Sequence, residues 1–99
     1  MDAIFASELD RYRDKSDYIF IDVREKSDYE ASHFKGAINM PFDEIENKFP
    51  QLDSDKIYVL YCDKGTVSLN VARDFERRGY HAKSVIGGIT AYRGQLEHS

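Results

Sequence analysis

Short apolar runs alternate with stretches of helical spacing from one end of this chain to the other, and few folds accept that rhythm. Ala3-Ile4-Phe5 reads as an edge strand, Tyr18-Ile19-Phe20-Ile21-Asp22-Val23 as a strand buried on both faces, and Ala37-Ile38-Asn39-Met40 as a third, stopped by Pro41. The strongest is Ile57-Tyr58-Val59-Leu60-Tyr61, entered through the turn Asp53-Ser54-Asp55-Lys56. Residues 82–86 supply the last strand, with Gly87-Gly88 turning the chain after it. Helices are expected over 7–13 with Ser7 as cap, over 27–31, over 42–49 with Ile45 and Phe49 at i, i+4 and Pro50 as the stop, and over 89–93. Val67, Val71 and Phe75 repeat at i, i+4, i+8 beside Leu69 and Ala72, an amphipathic helix for which Gly79 is a fitting C′ residue. Strands and helices taking turns over 99 residues make one α/β domain with a largely parallel sheet.

The single cysteine, Cys62, stands where the strongest strand ends. Open parallel sheets place ligand sites at the carboxyl ends of their strands, in the loops that lead into helices. Six residues from Cys62 to Val67 form that loop (Cys62, Asp63, Lys64, Gly65, Thr66, Val67), and Ser68 opens or caps the helix behind it. Gly65 permits a positive φ, which helps turn successive N–H groups inward. Such a ring of amides, at a helix N-terminus, favours a thiolate over a thiol and suits a persulfide or a small oxyanion. The other reading of a lone cysteine beside a strand is a small buried hydrophobe, and the strand-end position by itself leaves both open.

Composition removes other classes of function. A net charge of −4 with both signs interspersed argues against nucleic acid as the main partner. Arg73, Arg77 and Arg78 lie among Asp74 and Glu76 and read as a solvated helix face. His33, His81 and His98 are too scattered for a structural zinc site. No apolar stretch approaches the roughly 20 residues of a membrane helix, the N-terminus lacks a leader pattern, and a lone cysteine suits a reducing compartment, so cytoplasmic residence is expected. Residues 1–95 are read as the domain, and Leu96-Glu97-His98-Ser99 as a frayed or vector-derived tail.

Three stretches together resemble the rhodanese-like family along nearly the whole chain. Ile21-Asp22-Val23-Arg24, with Glu25, Tyr29 and Glu30 after it, resembles the family's DVR segment and acidic-aromatic helix. His33-Phe34-Lys35-Gly36-Ala37-Ile38-Asn39-Met40-Pro41 resembles its His-x-x-Gly-Ala-x-Asn-x-Pro segment. The loop from Cys62 to Ser68, then Gly79-Tyr80 and Gly87-Gly88-Ile89-Thr90-Ala91-Tyr92, resembles its active-site loop and its ending. The resemblance implies a three-layer α/β/α sandwich around about five short, mostly parallel strands, and sulfur transfer as the chemistry. In that chemistry Cys62 is nucleophile and carrier, and the loop residues Asp63, Lys64, Gly65, Thr66, Val67 and Ser68 bind the cargo mainly through backbone amides. The implied partners are a small sulfur donor or a protein persulfide and a thiophilic acceptor, with no cofactor, metal, nucleic acid or membrane. A monomer is expected, with a dimer as the alternative.

The loop departs from the family pattern in two places. Many members carry basic residues directly after the cysteine and just before the Ser, where Asp63 and Val67 stand here, leaving Lys64 as the only cation in the loop. Thiosulfate is therefore expected to be a poor donor. The same missing Arg, with the short loop, argues against a phosphatase or arsenate reductase. A noncatalytic interaction module that keeps the fold is the competing function. Asp22 is expected to cap a helix or orient a loop, Arg24 to pair with Asp22 or Glu25 or to sit on the pocket rim, and His33 to hydrogen-bond a loop. Tyr92, where the family often has Trp, is read as packing first and pocket border second.

Overall fold

The computed structural model describes residues 2–98. Strands β1 (Asp2–Phe5), β2 (Tyr18–Asp22), β4 (Ile38–Asn39), β5 (Ile57–Tyr61) and β6 (His81–Ile86) form one sheet in the order β1-β6-β5-β2-β4. Every neighbouring pair in it is parallel, so all five strands end at the same edge. The expected α/β architecture is the observed one.

Side chains alternate across the strands and build a core on each face. Ile21, Tyr58, Leu60 and Ala82 point to one face and meet Val71, Ala72 and Phe75 of helix α2 (Thr66–Arg77), with Ile45 and Phe49 beside them. Phe20, Val59, Tyr61 and Val85 point to the other and meet Leu9, Phe34, Ala37 and Tyr92. Helix α1 (Lys26–Ala31) covers that second side through Tyr29. Helix α2 closes as expected at Gly79: its N–H bonds the Glu76 carbonyl, and that of Tyr80 bonds Phe75.

Five expectations need correction. The helix expected over 89–93 is a single 3₁₀ turn, Ile89–Ala91, with Tyr92 already extended. The segment after β1 is a 3₁₀ helix, Ala6–Arg11, and Ser7 does not cap it; the Phe5 N–H donates to the Glu8 carboxylate at 3.0 Å instead. The helix expected over 42–49 is two 3₁₀ turns, Ile45–Asn47 and Phe49–Gln51. Pro50 opens the second turn rather than ending a helix, because a residue with a fixed φ and no N–H fits a first-turn position. Val67 leaves the apolar stripe of α2: it is 39% exposed, at the first turn of the helix, while Ser68 takes the buried place. Leu96 and Glu97 form a strand, β7, rather than fraying, antiparallel to β3 (His33–Phe34); Ser99 lies outside the described residues. No helix among the described residues is long and apolar enough to cross a membrane.

Candidate active site

At the shared carboxyl edge, three strand ends converge. β5 delivers Cys62, β2 delivers Asp22 and Arg24, and β6 delivers Gly87 and Gly88. The loop itself is shorter than the sequence suggests. Helix α2 already begins at Thr66 with Gly65 as its N-cap, so only residues 63–65 span the gap. Gly65, at φ 105°, turns its N–H onto the sulfur at 3.1 Å. The Ser68 N–H, one of the first-turn donors that a helix leaves without an internal partner, reaches the same sulfur at 3.4 Å.

Ser68 is the third residue of α2 and not its cap, and its side chain is fully buried beneath the sulfur. Its hydroxyl lies 3.6 Å from Cys62 Sγ, 3.2 Å from the Gly65 carbonyl and 2.9 Å from the Ser84 hydroxyl. The Cys62 thiol donates to the Ser68 hydroxyl, which donates in turn to the Gly65 carbonyl; an ionised sulfur would instead accept from that hydroxyl. Burial pushes the Cys62 thiol up, but the Ser68 N–H, the Ser68 hydroxyl and the Gly65 and Lys64 N–H groups together bring it below the ordinary thiol range. These donors favour the thiolate form of the sulfur.

Above Cys62 opens a pocket of about 490 Å³ lined by Val23, Phe42 and Val67, by Glu25, Asp28 and Asp63, and by Arg24, Lys64 and Thr66. Phe42 and Val67 are exposed there, so the mouth is apolar as well as acidic. Arg24 stands on the rim and is fixed from below. Its Nε and Nη2 fork onto the fully buried Asp22 carboxylate at 3.0 and 2.7 Å, and Nη2 also donates to the Ser32 carbonyl at 2.5 Å. The same carboxylate accepts the Arg24 N–H at 2.9 Å, so Asp22 orients this loop and caps no helix. Nη1 faces the Asp63 carboxylate at 3.5 Å.

His33 and Tyr92 are not in the pocket lining. His33 is buried, stacked on Tyr29 at 3.8 Å, with Nδ1 2.7 Å from the Tyr29 carbonyl. Tyr92 packs edge-on against Phe34, and its hydroxyl donates to Asp10 and accepts from Arg13. The sequence reading missed two contributors. Ser84 is one; with Lys83 beside it in the strand, its hydroxyl gave no signal in the pattern. Gly88 is the other: the Ile89 and Thr90 N–H groups just after it bind the Cys62 and Asp63 carbonyls at 2.9 and 3.1 Å.

Fold and site together define a class: a small parallel α/β domain with one amide-cradled thiol at its sheet edge. The family model described as "Rhodanese-like domain" matches residues 5–95, and the chain belongs to that family. It is 40% identical over 81 residues to a tRNA sulfurtransferase of Desulfurococcus amylolyticus, covering 82% of this chain and 16% of that one. It is 39% identical to the HTH-type transcriptional regulator Rv0324 of Mycobacterium tuberculosis (93% of this chain, 42% of the regulator). It is 33% identical to the putative sulfurtransferase YtwF of Bacillus subtilis (78% and 75%). The chain thus spans less than half of the first two relatives. Among solved structures, a rhodanese-like domain protein of Staphylococcus aureus matches with a TM-score of 0.90 and 27% identity, over 100% of this chain and 99% of that one.

Proposed function

We propose that this chain transfers sulfane sulfur, with Cys62 as the residue that accepts and carries it. The observation that carries this reading is the convergence of the Gly65 and Ser68 N–H groups and the Ser68 hydroxyl on one sulfur at the floor of an open pocket. The Cys62 thiolate attacks the outer sulfur of a donor. With thiosulfate, the S–S bond breaks and sulfite leaves with its electron pair; with a hydropersulfide, the leaving group is a thiolate. Either way a Cys62 persulfide forms, and the loop amides stabilise the charge on its outer sulfur. A thiophilic acceptor then takes that sulfur and returns the thiolate.

The mouth of the pocket favours some donors over others. Asp63 faces the Nη1 of Arg24, and Val67 brings no cation to the loop, so a dianion finds little free positive charge there. Thiosulfate is therefore a poor donor, and a persulfide on a small molecule or a protein is a better one. Intact-mass measurement after exposure to thiosulfate, polysulfide and a sulfur-loaded cysteine desulfurase tests the reading. The gain of one sulfur atom, absent in Cys62→Ser, is expected with the persulfide donors. No gain with any donor would instead favour a noncatalytic module, a reading that similarity to a transcriptional regulator keeps in view.

A further inference from the structure

Arg24 is the one guanidinium at the pocket rim, and its nitrogens are unequally engaged. Nε and Nη2 are committed to Asp22 and to the Ser32 carbonyl. Only Nη1 is left for the pocket, and what faces it is the carboxylate of the residue immediately after the cysteine. The pair is loose, at 3.5 Å, and lopsided: the Arg24 side chain is 9% exposed and that of Asp63 is 63% exposed. Asp63 is also pinned through its backbone, whose carbonyl accepts the Thr90 N–H. Its side chain can therefore leave Arg24 without moving the loop that holds Cys62.

We propose that Asp63 is a built-in counter-anion that occupies the free face of Arg24, and so sets donor choice by charge. An anionic donor must displace the Asp63 carboxylate before it gains a guanidinium partner; an alkyl hydropersulfide reacts in its protonated, uncharged form, has no need of that partner and loads past it. This inference rests on the reading of Cys62 as sulfur acceptor. The two steps compared are balanced in the same way. Thiosulfate gives the Cys62 persulfide and sulfite, and a neutral alkyl hydropersulfide gives the protonated Cys62 persulfide and an alkyl thiolate.

The test measures the donor concentration that half-saturates Cys62 loading, by intact mass, for thiosulfate and for a neutral alkyl hydropersulfide. Two variants are compared with the unmodified chain. Asp63→Asn removes the counter-anion, whereas Glu25→Gln removes a carboxylate of the same mouth that is not the one paired with Arg24. Asp63→Asn is expected to lower the half-saturating thiosulfate concentration about tenfold, the scale of one charge-assisted hydrogen bond. With the neutral donor it should change the value by less than about threefold, and Glu25→Gln should stay within about threefold for both donors, as screened rim charges do. Equal gains from the two variants would mean simple repulsion at the mouth, and would overturn the proposal. So would no gain from Asp63→Asn in a chain that still loads with the hydropersulfide. A chain that loads with neither donor overturns the sulfur-acceptor reading itself, and this inference with it.

Discussion

At Cys62 two effects oppose each other, and the hydrogen bonds win. Burial raises the thiol pKa, while donors from Ser68, Gly65 and Lys64 favour the charged form and bring it down. Because the folded pKa lies below that of the unfolded thiol, the thiolate contributes stability that is fully present above the unfolded value, about 8.5. That contribution fades as pH falls through the folded pKa. Loading follows the same sign, rising with pH through the folded pKa and levelling above it. Ser68→Ala keeps the backbone donors but removes the hydroxyl, so the acid limb of the loading profile should move to higher pH. Loading at a pH on the acid limb should drop roughly three- to tenfold, with little change at a pH on the alkaline plateau, since one hydrogen bond to an ion is at stake. An equal loss at both pH values would show that Ser68 acts only by packing.

Among the elements, the hinge of the site is the turn after β6, and its glycines have unequal work. A Cβ on Gly88 would lie 2.4 Å from the Asp63 carbonyl oxygen and 2.5 Å from that of Cys62, at a backbone φ of 60° and ψ of −163° that only glycine adopts with ease. Gly88→Ala should therefore cost about 3 kcal/mol in urea unfolding and abolish most loading, by pushing apart the carbonyls that the Ile89 and Thr90 N–H groups hold. Gly79→Ala, with nothing within 4 Å of the added carbon, should cost about 1 kcal/mol and leave loading intact. A Gly88→Ala protein that loads normally would mean that this clamp does not hold the loop. The turn was legible in the sequence as Gly-Gly, but its contact with the cysteine loop was not, because that contact joins carbonyls to amides and leaves no mark in side-chain pattern. The central strands were legible because burial on both faces demands unbroken apolar runs. The two-residue strands β3 and β7 were not: each joins one apolar to one polar residue, whereas the equally short β4 lies in the run 37–40 that Pro41 closes. Residues 42–51 show a third case: the pattern found the buried Ile45 and Phe49, and missed that proline opens a 3₁₀ turn there. At the site, Asp22 was one of two partners the sequence offered Arg24, whereas the reach of Nη1 to Asp63 depends on how β2 and β5 lie side by side.

Across the whole molecule, one sheet carries two cores that share no side chains, and the site sits where both end. Phe75 is fully buried on the α2 face, against Phe49, Tyr58 and Tyr80. Phe34 is fully buried on the opposite face, against Phe20 and Tyr92. Successive residues of β2 and β5 feed opposite cores, so neither face can open while the strands stay ordered on the other. Phe34→Ala and Phe75→Ala should thus each cost about 3–5 kcal/mol, and each variant should still unfold in a single transition by far-ultraviolet and tyrosine signals alike. With no shared partner the two costs should add, to about 6–10 kcal/mol, which meets or exceeds the stability of many domains of this size. The double variant should then be unfolded without denaturant. A biphasic melt in either single variant, with one signal lost before the other, would show instead that the two faces fold independently and that the sheet does not couple them.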